Sequence, residues 1–182
     1  MPELLNTTRF GNEILREEMR RISPEEILSN EVQALIENMY YTLHEKQYGV
    51  GIAAPQVGAR IALSVVGIKP TPTRPNIEPF NAVLINPTVA ETFGDTEEIW
   101  EGCISSGEGM STLYAKVPRF NKIRLQWFDE AAKEYDEVLE GFVAQHETDH
   151  LNEILFVDRL KNTKTYMLAD EYRKLILSEH LS

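Results

Sequence analysis

Gln145-His146-Glu147-Thr148-Asp149-His150 is the stretch from which the rest of the chain is best read. It carries the spacing His-Glu-x-x-His. On a helix, residues four apart lie on one face. The imidazoles of His146 and His150 can then reach one metal ion, with Glu147 beside them as a general base. With 4 histidines in 182 residues, this spacing arises by chance on the order of once per hundred such chains. The spacing works only on a helix, and residues 141–152 are expected to form it.

Two histidines do not complete a catalytic centre, which usually has three protein ligands and one open position. The metzincin pattern needs Gly and His downstream, but Glu153 and Phe156 stand there. A thermolysin-like site would take Glu171, yet the short stretch after His150 leaves no room for a large second lobe. His44 and His180 are loose candidates. Cys103, the single cysteine, is the better third ligand. It sits in Glu101-Gly102-Cys103-Ile104-Ser105, where Gly102 permits close backbone approach. A thiolate ligand favours a softer divalent metal. The alternative role for Cys103, a nucleophile paired with a histidine, leaves the His-Glu-x-x-His spacing unexplained.

Working outward, Ser23-Pro24-Glu25-Glu26 is a helix start: Ser23 caps, Pro24 suits the first position and Glu26 completes a capping box. Leu28, Val32, Leu35, Ile36, Met39 and Leu43 follow at helical spacing, predicting one amphipathic helix over 24–46. Gly49 and Gly51 end it. Residues 60–68 read as a strand. Pro70, Pro72, Pro75 and Pro79 make 69–79 a loop. A short strand is expected from Ala82 to Asn86, interrupted by Pro87, with weaker strands over 88–93 and 97–102. Residues 104–115 read as a loop. Ile123, Leu125 and Trp127 alternate with polar residues, predicting a half-buried antiparallel strand over 121–128. Residues 129–133 would turn the chain into a return strand over 134–139. A closing helix over 163–179 would bury Met167, Leu168, Leu175 and Ile176. Strands in runs, flanked by helices, predict an α+β fold.

Three motifs resemble those of the peptide deformylase family: Gly49-Val50-Gly51-Ile52-Ala53-Ala54-Pro55-Gln56, Glu101-Gly102-Cys103-Ile104-Ser105 and Gln145-His146-Glu147-Thr148-Asp149-His150. The likeness spans about residues 5 to 160 and includes Val117-Pro118-Arg119. It implies an α+β fold in which small antiparallel sheets pack around a central metal-binding helix, with a long N-terminal helix and a C-terminal helix. It also implies hydrolysis of the N-formyl group from the initiator methionine of new polypeptides, with release of formate. The implied metal ligands are Cys103, His146 and His150, holding iron(II), with zinc, nickel or cobalt as substitutes. The implied catalytic groups are Glu147 as proton carrier and the Gln56 amide and Ile104 N–H as oxyanion donors. Gly51 would lie along an extended peptide, while Val50, Phe142 and Val143 would line a methionine pocket. Glu101 and Arg119 are expected to pair and fix the Cys103 loop, and Asp149, next to His150, to act behind the ligands or to dock a neighbouring strand. Ile104 replaces the usual Leu, and the segments 105–116 and 139–144 differ in length from common bacterial members.

Composition narrows the field further. Lys and Arg number 18 against 29 Asp and Glu, a formal net charge of −11. That balance argues against direct nucleic-acid binding and against docking on anionic lipid. A single cysteine excludes an internal disulfide. No apolar run approaches the roughly 18 residues of a membrane span. The charged first thirty residues resemble neither a signal nor a transit peptide. The expectation is one catalytic domain over 1–182, cytoplasmic and monomeric, acting on N-formyl-Met peptides, with the ribosome as a partner implied by the family. A zincin-type endopeptidase and a non-enzymatic metal- or peptide-binding module are the competing readings. The first would not need Cys103, and the second would need neither Gln56 nor Glu147.

Overall fold

The computed structural model describes residues 1–46, 49–70 and 79–179. Its elements, in chain order, are α1 (Pro24–Ile27), α2 (Asn30–Lys46), β1 (Gly51–Ala53), β2 (Leu63–Ile68), β3 (Phe80–Gly102), β4 (Leu113–Phe128), β5 (Glu134–Glu140), α3 (Val143–His150), β6 (Met167–Leu168) and α4 (Ala169–Glu179). The strands form one antiparallel six-stranded sheet in the order β1-β2-β3-β4-β5, with β6 added to β4. The α+β expectation holds.

The sheet is buried on both faces near its centre. Leu63, Val65, Val83 and Ile85 face α2 and pack with Val32, Ile36, Met39 and Leu43. The alternate residues Val66 and Leu84 join Ile123, Leu125 and Val143 on the other face, where α3 lies. Strand side chains alternate in direction, so β2 and β3 separate the two helices and bring α3 onto the centre of the sheet. Ser64, between Leu63 and Val65, points to α3, where its hydroxyl donates to the Glu147 carbonyl at 3.4 Å.

The expected helix over 24–46 is two helices. Ser23 and Glu26 do form the capping box. Ser29 then caps again: its hydroxyl donates to the Glu26 carbonyl at 2.6 Å and accepts from the Val32 N–H at 3.3 Å. Serine hydroxyls compete with the helix ladder in this way. Leu28 falls at the break and is 59% exposed, so it leaves the apolar stripe.

Pro87 does not end a strand, because β3 runs through it for 23 residues. The pairing with β4 shifts register between Ile85 and Thr88, and Asn86 takes a φ of 52°. A bulge leaves a residue outside the ladder, so the missing proline N–H breaks no bond. The strands expected over 88–93 and 97–102 are later parts of the same β3. The strand expected over 60–68 begins at Leu63, and the loop expected over 104–115 ends earlier, at Leu113, where β4 starts. The turn and return strand after 128 are as expected, and β1 was not anticipated.

The closing helix is shorter than expected. Met167 and Leu168 form β6 against Leu113 and Tyr114, and Thr165 Oγ1 accepts from the Lys116 N–H at 3.1 Å. These contacts satisfy the β4 edge, whose backbone groups need partners. Met167, Leu175 and Ile176 are half-buried and Leu168 is exposed, so none is the core residue expected. Residues 71–78 of the proline-rich loop and His180 lie outside the described residues.

Candidate metal centre

Gly141, with a φ of 92°, turns the end of β5 into α3. Gln145 fixes the helix to the sheet. Its Nε2 donates to the carbonyls of Phe120 (2.7 Å) and Gly141 (3.1 Å), and its Oε1 accepts from the Phe120 N–H (3.3 Å). With α3 held there, His146 and His150 project from one face, their ring centroids 4.9 Å apart and at 77°. Cys103 follows the end of β3, its carbonyl accepting from the Ser106 N–H (2.9 Å) and hydroxyl (2.7 Å). Its Sγ lies 3.3 Å from His150 Nε2. The ligand atoms of Cys103, His146 and His150 all lie within 4.8 Å of one another, and all three residues are buried.

A metal fits this donor set. His146 Nδ1 donates to Glu101 Oε2 at 2.8 Å, since the carboxylate can only accept. That bond orients the ring and turns Nε2 toward the centre, where a metal would displace the proton it shares with Cys103. A carboxylate on the other nitrogen is the usual arrangement behind a metal-bound histidine. Two imidazoles and a thiolate are the chemistry of a divalent transition-metal site. Glu147, the fourth polar group here, has a buried Oε2 with no protein hydrogen-bond partner among the described residues.

The electrostatics follow from burial. Removal from water pushes the Glu147 carboxyl up to about 7, with the nearby Glu101 charge adding to it. Burial lowers His150 well below its ordinary value and keeps it neutral. Burial also presses His146 down, but its hydrogen bonds to Cys103 and Glu101 outweigh that and hold it well above the ordinary value. Glu101 is opposed by burial too, yet His146 and then Arg119 hold it below the carboxylate range.

The Glu101–Arg119 pair is present and fully buried. Arg119 Nε and Nη2 donate to the two Glu101 oxygens at 2.6 and 3.1 Å. Arg119 Nη1 also donates to Asp149 Oδ2 at 2.6 Å, and Asp149 in turn binds Arg159 through 2.5 and 2.6 Å contacts. Asp149 does not reach its neighbour His150, whose buried Nδ1 has no hydrogen-bond partner among the described residues; it stands behind His146 instead, through Arg119 and Glu101. Arg159 was not anticipated; it sits in the 3-10 turn Phe156–Arg159 with no motif around it.

Gln56 reaches the centre from the 3-10 turn Ala54–Val57. Its Oε1 accepts from the Ala53 N–H at 2.8 Å, so its amide is turned one way only. Nε2 faces Cys103 Sγ (3.2 Å) and Ser105 Oγ (3.1 Å). Gly51 passes so close to Glu147 that a Cβ there would fall 2.3 Å from Oε1. Ile104 is buried, and its Cγ2 lies 3.3 Å from where a Gly49 Cβ would stand. Val50, Phe142 and Val143 come together in one apolar cluster on the α3 face of the sheet. His44 is an exposed side chain beside Glu45, and Glu171 pairs with Lys174 on the surface of α4.

Fold and site together are those of a metal-dependent hydrolase. A family model described as polypeptide deformylase matches residues 4–166. The peptide deformylase of Leptospira biflexa serovar Patoc is 38% identical over 165 residues, covering 87% of this chain and 88% of its own. The peptide deformylase of Aquifex aeolicus is 36% identical over 172 residues, covering 93% and 95%. The crystal structure of a class I type b peptide deformylase from Acinetobacter baumannii with Met-Ala-Ser bound matches with a TM-score of 0.80 at 31% identity, covering 88% of this chain and all of that one. The chain belongs to the polypeptide deformylase family. As a member it is a metal-dependent enzyme that deformylates polypeptides.

Proposed function

We propose that the protein removes the formyl group from the N-terminal formyl-methionine of newly made polypeptides, using one divalent cation held by Cys103, His146 and His150. The observation that carries this is the meeting of the Cys103 thiol with both histidines of the α3 motif beside the buried Glu147. Iron(II) is the native ion, with zinc, nickel or cobalt able to substitute, because one thiolate and two imidazoles suit this series. Bound there, the cation would polarise the formyl oxygen and lower the pKa of a water at the site.

The protein's own groups do the rest. Glu147, with a carboxyl near neutrality, takes the proton of the attacking water and passes it to the departing amine nitrogen. The Gln56 amide and the Ile104 N–H donate to the oxyanion that develops on the formyl oxygen; one such donor is worth about 3–4 kcal/mol of barrier. The bare backbone at Gly51 lies along the peptide as a neighbouring strand would. Val50, Phe142, Val143 and the face of the His146 ring receive the methionine side chain.

The whole chain, 1–182, serves as one catalytic domain, monomeric and cytoplasmic, meeting its substrate as chains leave the ribosome. No helix among the described residues is long and apolar enough to cross a membrane. An endopeptidase of the zincin type would have no use for a thiol in the triad. The test is formate release from a formyl-Met peptide by the metal-loaded protein: formate is expected, and cleavage of internal peptide bonds without formate would overturn the proposal.

A further inference from the structure

Residues 8–10 of the N-terminal arm cross both loops that carry the proposed oxyanion donors. The Thr8 N–H donates to the Gln56 carbonyl at 2.8 Å, and its hydroxyl donates to the Pro55 carbonyl at 3.0 Å. The Phe10 N–H donates to the Ser105 carbonyl at 2.9 Å. Between them, Arg9 sends one nitrogen, Nη1, to the carbonyls of both Ile104 and Gly107, each at 2.6 Å. Its Nη2 lies 3.3 Å from Glu108 Oε2.

Together with Ser106, these contacts fix three consecutive peptide planes. The Cys103 carbonyl is held by Ser106. In a trans peptide the following N–H points the opposite way, and that N–H belongs to Ile104. The next plane carries the Ile104 carbonyl and is held by Arg9. The plane after it carries the Ser105 carbonyl and is held by Phe10. Thr8 and Phe10 act on the Gln56 and Ser105 carbonyls, respectively, through backbone donors that most residues would supply. Arg9 acts through its side chain, and its planar guanidinium carries several donors in a fixed fork that stays charged.

We infer that Arg9 is a positioning residue for the deformylase reaction: by bridging the Ile104 and Gly107 carbonyls it fixes the peptide plane that follows the Ile104 N–H, and through that plane keeps this N–H aimed with the Gln56 amide. This rests on the oxyanion roles proposed above. Arg9 touches neither the candidate ligands nor Glu147 through any of these bonds, and its side chain is 38% exposed. Its loss should therefore act on geometry rather than on folding or metal content. A misplacement of about 1 Å, caused by a change away from the chemistry, can cost about a hundredfold in rate.

The test uses the nickel-loaded full chain with R9M and R9K. For R9M, kcat for formate release should fall about tenfold, with KM and metal per chain within about twofold of the parent. R9K should recover part of kcat, since an ammonium can still donate to a carbonyl. Backbone amide exchange across 103–108 should speed up in R9M while exchange across 63–68 stays unchanged. An R9M enzyme with parental kcat, or one whose lost activity tracks lost metal, overturns the inference. A parent that releases no formate removes the proposed function and the catalytic consequence with it; unchanged exchange across 103–108 would separately remove the anchoring role.

Discussion

Glu101 Oε2 lies 2.8 Å from His146 Nδ1, and this bond ties a candidate metal ligand to a buried line of alternating charge. Arg119 grips the same carboxylate, Asp149 grips Arg119, and Arg159 closes the line at the half-exposed edge. Glu101 and Arg119 side chains are 1% and 3% exposed. Charges this deep are tolerable only when each has a partner. The line runs from the end of β3 through β4 to α3 and the turn after it, so it also fixes the strand end that presents Cys103 relative to the helix that presents the histidines.

Replacing Glu101 by alanine should act twice. It strands Arg119 without its main partner, a change that typically costs about 3–5 kcal/mol, and it frees the His146 ring. Metal affinity should fall roughly 10–100-fold. Thermal unfolding of the metal-free protein and competition with a chelator read the two effects separately. E101Q, which keeps an acceptor for Nδ1, should lose less affinity than E101A. Equal affinity in E101A and the parent would mean the ring is held by other means.

Gly51 is the position where a single methyl group should separate metal binding from turnover. Its Cβ would meet Glu147 Oε1 at 2.3 Å, closer than any real contact, so the carboxylate must move. G51A should keep one ion per chain and lose at least about tenfold in kcat. Formate release and metal analysis on the same sample check this; parental kcat would show that Glu147 has room the structure does not give it.

Much of this site is legible in the sequence because its chemistry is local. His146 and His150 need only one helix, and the single cysteine leaves few rivals for the third ligand. The strand over 121–128 is legible for a similar reason: Ile123, Leu125 and Trp127 alternate against charged residues over a fully solvated outer face. What escapes depends on partners far away in the chain. Pro87 looks like a strand end until the register shift beside Asn86 removes the need for its N–H. Ser29 lies inside a good apolar period, and nothing in that period shows its hydroxyl starting a second helix. Met167 and Leu168 look helical until the β4 edge claims them. Arg9 and Arg159 belong to no motif, because their partners are carbonyls and a carboxylate that only the tertiary fold brings within reach.

One ion pair gives stability a pH dependence away from the metal. Arg16 binds Asp158 and joins the turn Glu13–Arg16 to the turn Phe156–Arg159. That hydrogen bond, first among its causes, holds the Asp158 carboxyl below its ordinary value. A depressed carboxyl contributes stability that is complete above its unfolded pKa and is lost as pH falls through the folded one. D158N keeps an acceptor for the Leu155 N–H, which Asp158 Oδ2 now serves at 2.7 Å. Its melting temperature should therefore lie below the parent's at neutral pH, with the gap closing toward about pH 3. Both groups are partly exposed, so the gap should be small and should shrink in salt. A gap that stays constant down to low pH would assign the effect to packing rather than to charge.

The most direct measurement is anaerobic. The parent and E147A are loaded with iron(II), and formate release from a formyl-Met peptide is measured together with metal content on the same samples. Both proteins should carry one ion per chain; the parent should release formate and E147A should be slowed by at least about a hundredfold. An E147A protein that turns over like the parent, or a fully loaded parent that yields no formate, would contradict the roles assigned to Glu147 and to the Cys103, His146 and His150 centre.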